Sequence, residues 1–283
     1  MADSRLLRRF DRIIVAGRGR LGTSLHGALK AKGLASELVP GRDVAVMGRR
    51  VVVDGAALLV LAVPDPAITS TAAELVSALP SQGVSVIHLS GLLGVAALAP
   101  LADVGIDVGA FHPFQSFPVV RPPAAFGGSL IGVDAVEDGL AEELFQLARD
   151  IGGHPRRVPD DQRALYHVAA VLSSNLVVGL AGTAAAVLES MGWTEAEALA
   201  ALVPLMSGVI DNLASEGLGG ALIGPIRRGD AATVRRHLDE LDRNGMEDAA
   251  RVYRILALAT LELALATGLD PASGEDIRAA LTG

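Results

Sequence analysis

The sequence predicts an α/β protein: an N-terminal doubly wound, mostly parallel sheet followed by an all-α C-terminal domain. Three observations carry this. Short apolar runs alternate with helical periodicity through the first half of the 283 residues, the pattern of strands covered by helices on both faces. From Asp160 onward the periodicity is helical almost throughout. A hydrophobic fraction of 51% against 20% charged residues supplies a large core and excludes a disordered chain. The pattern changes near Val158-Pro159, dividing the chain into domains 1–158 and 159–283.

Residues 12–16 read Arg-Ile-Ile-Val-Ala, an apolar run ending at Gly17 and hence a buried strand. Residues 19–32 place Leu21, Leu25, Ala28 and Leu29 at helical spacing and stop at Gly33. A second strand over 36–39 closes at Pro40-Gly41, and Val51-Val52-Val53 reads as a third. Residues 57–63 form a strand ending in Pro64-Asp65-Pro66, expected as a loop before a helix over 69–79. Strands follow at 84–89, 108–111 and 129–133, with a helix over 137–151.

In the second half, Asp160-Asp161 is expected to cap a long helix in which residues 164–188 carry no charge. That segment has the length of a membrane span. Its Tyr166, His167, Ser173, Ser174, Asn175 and Thr183 fit a helix buried inside protein better than one in lipid. Thr194 with Glu197 three residues on forms a capping-box pattern. Helices over 233–241 and 248–267 follow a Gly/Pro/Arg-rich break at 217–230.

Composition excludes several functional classes. The chain has 24 basic and 32 acidic residues, a net charge of −8. With no basic stripe, a nucleic-acid partner is not expected. There are no cysteines, so disulfide frameworks, thiolate zinc sites and cysteine nucleophiles are excluded. The N-terminal residues lack the apolar run of a signal peptide, and absent cysteine suits a reducing compartment. A cytoplasmic protein with no membrane partner is expected. No His-x-x-x-His pair exists, and no metal site is expected.

Gly17-Arg18-Gly19-Arg20-Leu21-Gly22 matches G-x-G-x-x-G between a strand and a helix, the context of a dinucleotide-binding Rossmann turn. Gly17 permits the tight turn, Gly19 lets the backbone approach a pyrophosphate, and Gly22 lets the helix pack close. The helix N-terminus offers free N–H groups to the anion. An ordinary turn cluster is the alternative. Glu37 has the spacing of a ribose-binding acid but falls inside the second strand. At the strand tip, Arg42 suits a 2′-phosphate, and Arg18 and Arg20 add positive potential. NADP is therefore expected, with NAD possible; a solvated loop charge is the other reading of Arg42.

These residues, with Val63-Pro64-Asp65, His88-Leu89-Ser90-Gly91, His112-Pro113-Phe114-Gln115-Ser116-Phe117, Tyr166-His167, Ser174-Asn175 and Gly224-Pro225-Ile226-Arg227-Arg228-Gly229-Asp230, occur in one order along nearly the whole chain. Together they resemble the Rossmann-like reductase-type proteins that carry the C-terminal helical domain of unknown function 2520. More distantly the chain resembles ketopantoate reductase, pyrroline-5-carboxylate reductase and the 3-hydroxyacid dehydrogenases. The resemblance implies an NAD(P) domain, a helical domain that often dimerises, and a substrate cleft between them. It also implies an asparagine on the first long helix of the second domain, which Asn175 matches, preceded one turn earlier by a lysine. Val171 stands there instead, and the only lysines are Lys30 and Lys32.

A different proton donor is therefore required. His112 follows a strand whose carboxyl end faces the ligand side of an open sheet, and a histidine there exchanges protons near neutral pH. The stretch around His112-Pro113 also resembles that of prephenate dehydrogenases. His167 and Asn175, eight residues apart on one expected helix, would share a face and orient substrate. His112, His167 and Asn175 are the candidate catalytic residues, with a His112 that only fixes the turn before Pro113 and a His167 satisfied in the core or an interface as the plain alternatives; His88 reads as structural. The nicotinamide is expected near Val63, Pro64, Asp65, Ser90 and Gly91. Gln115, Ser116, Tyr166, Ser174, Arg227 and Arg228 are candidates for substrate contact. A capped, solvated turn is the plain alternative for the two arginines, with Asp230 as the cap. The expected function is NADP-dependent reduction of a small carbonyl or imine acid by a homodimer. The alternatives are a non-catalytic NADP(H) sensor and a scaffold with a dead nucleotide site.

Overall fold

The computed structural model describes residues 9–43, 46–48, 55–80 and 82–282. The strand expected at Val51-Val52-Val53 lies outside them. The chain folds as two compact units, Met1–Ser174 and Asn175–Gly283.

In the first unit, strands β1 (Arg12–Ala16), β2 (Ser36–Val39), β3 (Ala57–Leu61), β4 (Val84–His88), β5 (Asp107–Pro113), β6 (Leu130–Ala135) and β7 (His154–Arg157) form one sheet in the order β2-β1-β3-β4-β5-β6-β7. The β5–β6 pairing is antiparallel and the others are parallel. Alternation along β1 feeds both faces. Ile13 and Val15 join Leu25 and Leu29 of helix α1 (Arg20–Ala31). Ile14 and Ala16 join Ile68, Ala72 and Leu75 of α2 (Asp65–Leu75), together with Leu101 of α3 (Ala99–Ala102). Helix α4 (Asp138–Asp150) adds Leu140, Leu144 and Leu147 to the first face. The chain leaves β1 toward β2 on one side and reaches β3 on the other. This strand-order reversal opens a crevice at the carboxyl ends of the strands.

Several local expectations change. Helix α2 begins at Asp65 rather than after Pro66, because a proline in the first helical turn gives up an N–H that has no partner there anyway. β7 was not expected from its sequence, His-Pro-Arg-Arg. It is a largely exposed edge strand, where proline and charge are tolerated. Helix α5 (Asp160–Ser173) is N-capped by Pro159 without a side-chain bond. The Asp160 carboxylate instead accepts from the backbone N–H groups of Val95 and Ala96, at 2.7 and 3.1 Å. It thus caps the short 3-10 helix Val95–Leu98. Helix α5 packs within the first compact unit, which runs to Ser174.

The expected long helix is also interrupted. Ser174 adopts φ −130°, ψ −78°, and α6 (Asn175–Glu189) starts afresh. Nor is the uncharged segment buried within the single chain: Leu165 is 76% exposed, Leu172 58% and Val178 73%. Residues 160–189 and 195–221 are long and apolar enough to cross a membrane by length and composition.

The second unit contains α6, α7 (Glu195–Ala221), α8 (Ala231–Arg243), α9 (Glu247–Ala266) and α10 (Pro271–Thr282). The Thr194–Glu197 capping box is present in both directions. Gly217 interrupts α7 with φ +67°, so the expected break begins inside the helix. Val234, Leu238, Leu261, Ala264, Ile277 and Leu281 from α8, α9 and α10 form the core of this unit.

Candidate active site

The glycine turn between β1 and α1 is fixed by contact. Gly17 has φ +139°, and a Cβ on it would stand 2.1 Å from the Ala62 carbonyl oxygen after β3. A Cβ on Gly22 would meet the Gly17 carbonyl oxygen at 2.2 Å, so these two glycines close the strand–turn–helix packing. Gly19 differs: a Cβ there would meet nothing within 4 Å. Its bare Cα faces the open crevice, which is the room a pyrophosphate needs beside the backbone.

The crevice is a cleft of about 360 Å³ lined by Gly17, Arg18, Gly19, Arg20, Leu21 and Gly22, by Gly41 and Arg42, by Ala62, Val63, Pro64 and Asp65, and by Leu89 and Ser90. The structure therefore gathers nearly every residue assigned to the nucleotide from sequence. Gly41, Ala62 and Leu89 were missed, because apolar or backbone lining leaves no motif. Arg18, Arg20 and Arg42 are exposed, as a surface for a phosphate-bearing ligand requires. The donors, glycines and cleft fit a dinucleotide.

Gly91 does not line this cleft. A Cβ on it would lie 2.7 Å from Nε2 of His112 and 3.0 Å from Nδ1 of His167. Two imidazole nitrogens thus converge on the residue that follows Ser90. His112, at the end of β5, places Nδ1 2.9 Å from the Tyr166 hydroxyl. That hydroxyl also lies 3.3 Å from the His112 carbonyl oxygen. Tyr166 and His167 reach the strand ends together as neighbours on α5.

The turn after β4 is held from every side. Ser90 Oγ donates to the Asp65 carboxylate at 2.6 Å and accepts from the Leu92 and Leu93 N–H groups. Ser90 N–H donates to His88 Nδ1, and His88 Nε2 bonds the Gly94 carbonyl oxygen at 2.9 Å. These two bonds fix His88 as a neutral imidazole with its proton on Nε2, in the structural role the sequence suggested. Burial pushes its pKa down to about 4, against the opposing pull of the Gly94 carbonyl. Arg163 of α5 donates from Nη1 to the Ser90 carbonyl oxygen at 3.3 Å. Sequence reasoning missed Arg163; the available signal was its position three and four residues before Tyr166 and His167, on the same helical face.

Electrostatics correct one expectation. Burial, then the charge of Arg163 and the neighbouring His167 and His88, brings His112 down to about 4. His112 is therefore neutral throughout the physiological range and not a group titrating near neutrality. Burial likewise raises Tyr166 to about 12, so its hydroxyl stays protonated.

Other candidates fall elsewhere. Gln115 and Ser116 are exposed, and the Gln115 side-chain oxygen accepts from Ser116 N–H. Ser174 Oγ donates to the Ala170 carbonyl oxygen within its own helix. Asn175 opens α6 beyond the Ser174 break, so the two-turn spacing from His167 does not place them on one helix face. Arg227 donates to the Thr267 carbonyl oxygen within the second unit, and Arg228 is exposed beside Asp230. Asp230 caps α8 through the Thr233 N–H, as expected.

Comparison with known proteins agrees with this architecture. Residues 20–113 match the model of a Rossmann-like domain, and residues 129–260 match the domain of unknown function DUF2520. The chain joins these two domains, which confirms the resemblance read from its motifs. No curated protein matches it by sequence. Among solved structures it is similar to TM1727 of Thermotoga maritima, with TM-score 0.69 and 23% identity over 90% of this chain and 98% of that one. It is also similar to NADP-bound pyrroline carboxylate reductase of Plasmodium falciparum, with TM-score 0.58 and 12% identity over 96% and 99%. A Streptomyces aurantiacus imine reductase gives TM-score 0.53 and 14% identity over 94% and 99%.

Proposed function

We propose that the protein is an NADP-dependent oxidoreductase that reduces a small carbonyl or imine acid. The observation carrying this reading is adjacency. Ser90 lines the glycine-loop cleft, and at the next residue two imidazole nitrogens converge. A nucleotide seated on Gly17–Gly22 with its far end toward Asp65 and Ser90 brings its reactive ring beside His112 and His167. The NADP-bound pyrroline carboxylate reductase and the imine reductase, which share this fold, support the cofactor and the reaction class. Arg42 at the tip of β2 supports the 2′-phosphate.

The bound dihydronicotinamide supplies the hydride. The chain supplies the rest. Arg18, Arg20 and Arg42 attract the phosphates. When the Tyr166 hydroxyl donates to Nδ1 of His112, the imidazole carries its proton on Nε2, facing Gly91. A neutral imidazole in that state polarises a carbonyl or imine by hydrogen bonding. As Nε2 yields its proton to the developing negative charge, Nδ1 takes the Tyr166 hydroxyl proton, so the ring stays neutral and solvent reprotonates the tyrosine. His167, whose Nδ1 also meets Gly91, orients the substrate, with the Tyr166 hydroxyl at Nδ1 of His112. Asn175, Gln115, Ser116, Ser174, Arg227 and Arg228 remain proposed substrate contacts from the sequence alone.

NADPH oxidation against a panel of 2-oxo acids and cyclic imine acids tests the reading. Turnover that falls at least tenfold in a Gly91→Ala variant, with cofactor affinity retained, supports it. Cofactor binding without turnover on any member favours the sensor instead.

A second copy of the chain is proposed to cover α6 and α7, where Val178, Val203, Leu205 and Leu218 are each more than half exposed. Exposed apolar surface on this scale marks an interface, and burying it in a homodimer suits a soluble cytoplasmic reductase. A monomer at micromolar concentration in sedimentation, or recovery with membranes, would overturn this.

A further inference from the structure

We infer that Arg163 is the positioning residue of this site: a buried guanidinium that anchors the Ser90–Gly91 turn and presents its charge to His112 beside it. Arg163 is 0% exposed. One of its nitrogens holds the Ser90 carbonyl oxygen, while Nε and Nη2 have no hydrogen-bond partner among the described residues. The carboxylates that attract it are engaged elsewhere. Asp160 caps the Val95 and Ala96 N–H groups, and Asp134 accepts from Arg157 at 3.3 Å. The positive charge is therefore only partly offset where it stands.

A buried charge of this kind is costly, and an apolar side chain of similar size would pack with less penalty. Its position gives it an effect no apolar residue has. The turn it holds carries the glycine at which the two imidazoles meet, and its helix carries Tyr166 and His167. The groups facing His112 are Tyr166 and His167 from α5, His88 from β4 and Arg163 itself. Asp65 and Asp160 act on His88. Among the described residues the charges that act on His112 come from Arg163, His167 and His88, with no carboxylate opposing the guanidinium. Burial does most to hold His112 neutral and the Arg163 charge adds to it, so the site handles its proton from the neutral form.

This inference rests on reading His112 as the proton-handling group. Its test needs neither substrate nor NADPH, so failure of the reductase assay and failure here are distinguishable. Histidine side-chain nitrogen NMR on the full chain, titrated from pH 3 to 8, reads the His112 midpoint. Wild type is expected near 4. In Arg163→Gln, which keeps a donor for the Ser90 carbonyl and removes the charge, the midpoint rises by on the order of one pH unit. In Arg163→Lys, which keeps the charge, it stays low. An unchanged midpoint in Arg163→Gln, or an equal rise in both variants, overturns the inference. The wild-type protein supplies an arm that needs no variant: the Arg163 Nε resonance should inflect at the His112 midpoint. A flat Arg163 resonance across that range overturns it as well.

Discussion

The two ends of the proposed site are built from opposite materials. At the glycine turn the ligand surface is bare backbone with three exposed arginines around it. At Gly91 the working groups are half-buried imidazoles, a tyrosine and a buried arginine, braced by hydrogen bonds. The contrast follows from chemistry. Phosphates arrive with their own charge and hydration, and a surface of N–H groups and mobile cations suits them. Proton transfer needs atoms fixed to a fraction of an ångström and protonation states set by the surroundings. Glycine serves both ends for different reasons. At Gly17 it relieves a backbone clash, at Gly19 it leaves space for a ligand, and at Gly91 it leaves space for two side chains.

The largest effect that sharpens this comparison is acid destabilisation of the buried end. His88 is neutral in the native state with a pKa of about 4, against about 6.5 for a free imidazole. Its contribution is complete above pH 6.5 and is lost as pH falls toward 4, because the unfolded chain then binds the proton more readily. The loss is roughly 3 kcal/mol from His88, with His112 adding in the same direction. Urea denaturation at pH 7, 5.5 and 4.5 measures it. A stability that stays constant as pH falls would contradict a buried, neutral His88.

Next come the glycines. Gly17→Ala is expected to cost about 2–3 kcal/mol of stability, since its φ is unfavourable and its Cβ strikes backbone. Gly19→Val should leave the melting temperature of the free protein nearly unchanged while weakening NADPH binding at least tenfold. Calorimetric melting with and without NADPH separates the two. Equal behaviour of the pair would erase the distinction between a packing glycine and a ligand glycine.

A smaller effect concerns Arg42. Replacing it with alanine should weaken NADPH about tenfold, the scale of one charge-assisted contact, and leave NADH unchanged. Titration of both nucleotides reads this. Smallest is Asp160→Ala, expected to cost about 1 kcal/mol through the lost cap on Val95 and Ala96. Asp160→Asn should recover most of that in thermal melts.

Strands β1 to β6, most of the helices and the glycine turn were legible in the sequence because each is specified locally. The run Ile13-Ile14-Val15-Ala16 needs only its own alternation to become a strand with two buried faces. Gly17, Gly19 and Gly22 announce their roles by spacing, and Thr194 and Glu197 form a cap within one helical turn. Arg42 was legible for the same reason, since it sits one loop after β2. Tertiary structure alone decided the rest. Asp160 caps a helix sixty-five residues earlier in the chain rather than its own. The charge-free segment breaks at Ser174 instead of running straight to Asn175. Arg163, an unremarked residue on an exposed helix, is buried under the turn that follows β4. The pKa of His112 depends on which groups surround it, and those come from β4, β5 and α5. Propensity and periodicity act over a few residues, whereas desolvation and Coulomb forces act between whatever the fold brings together.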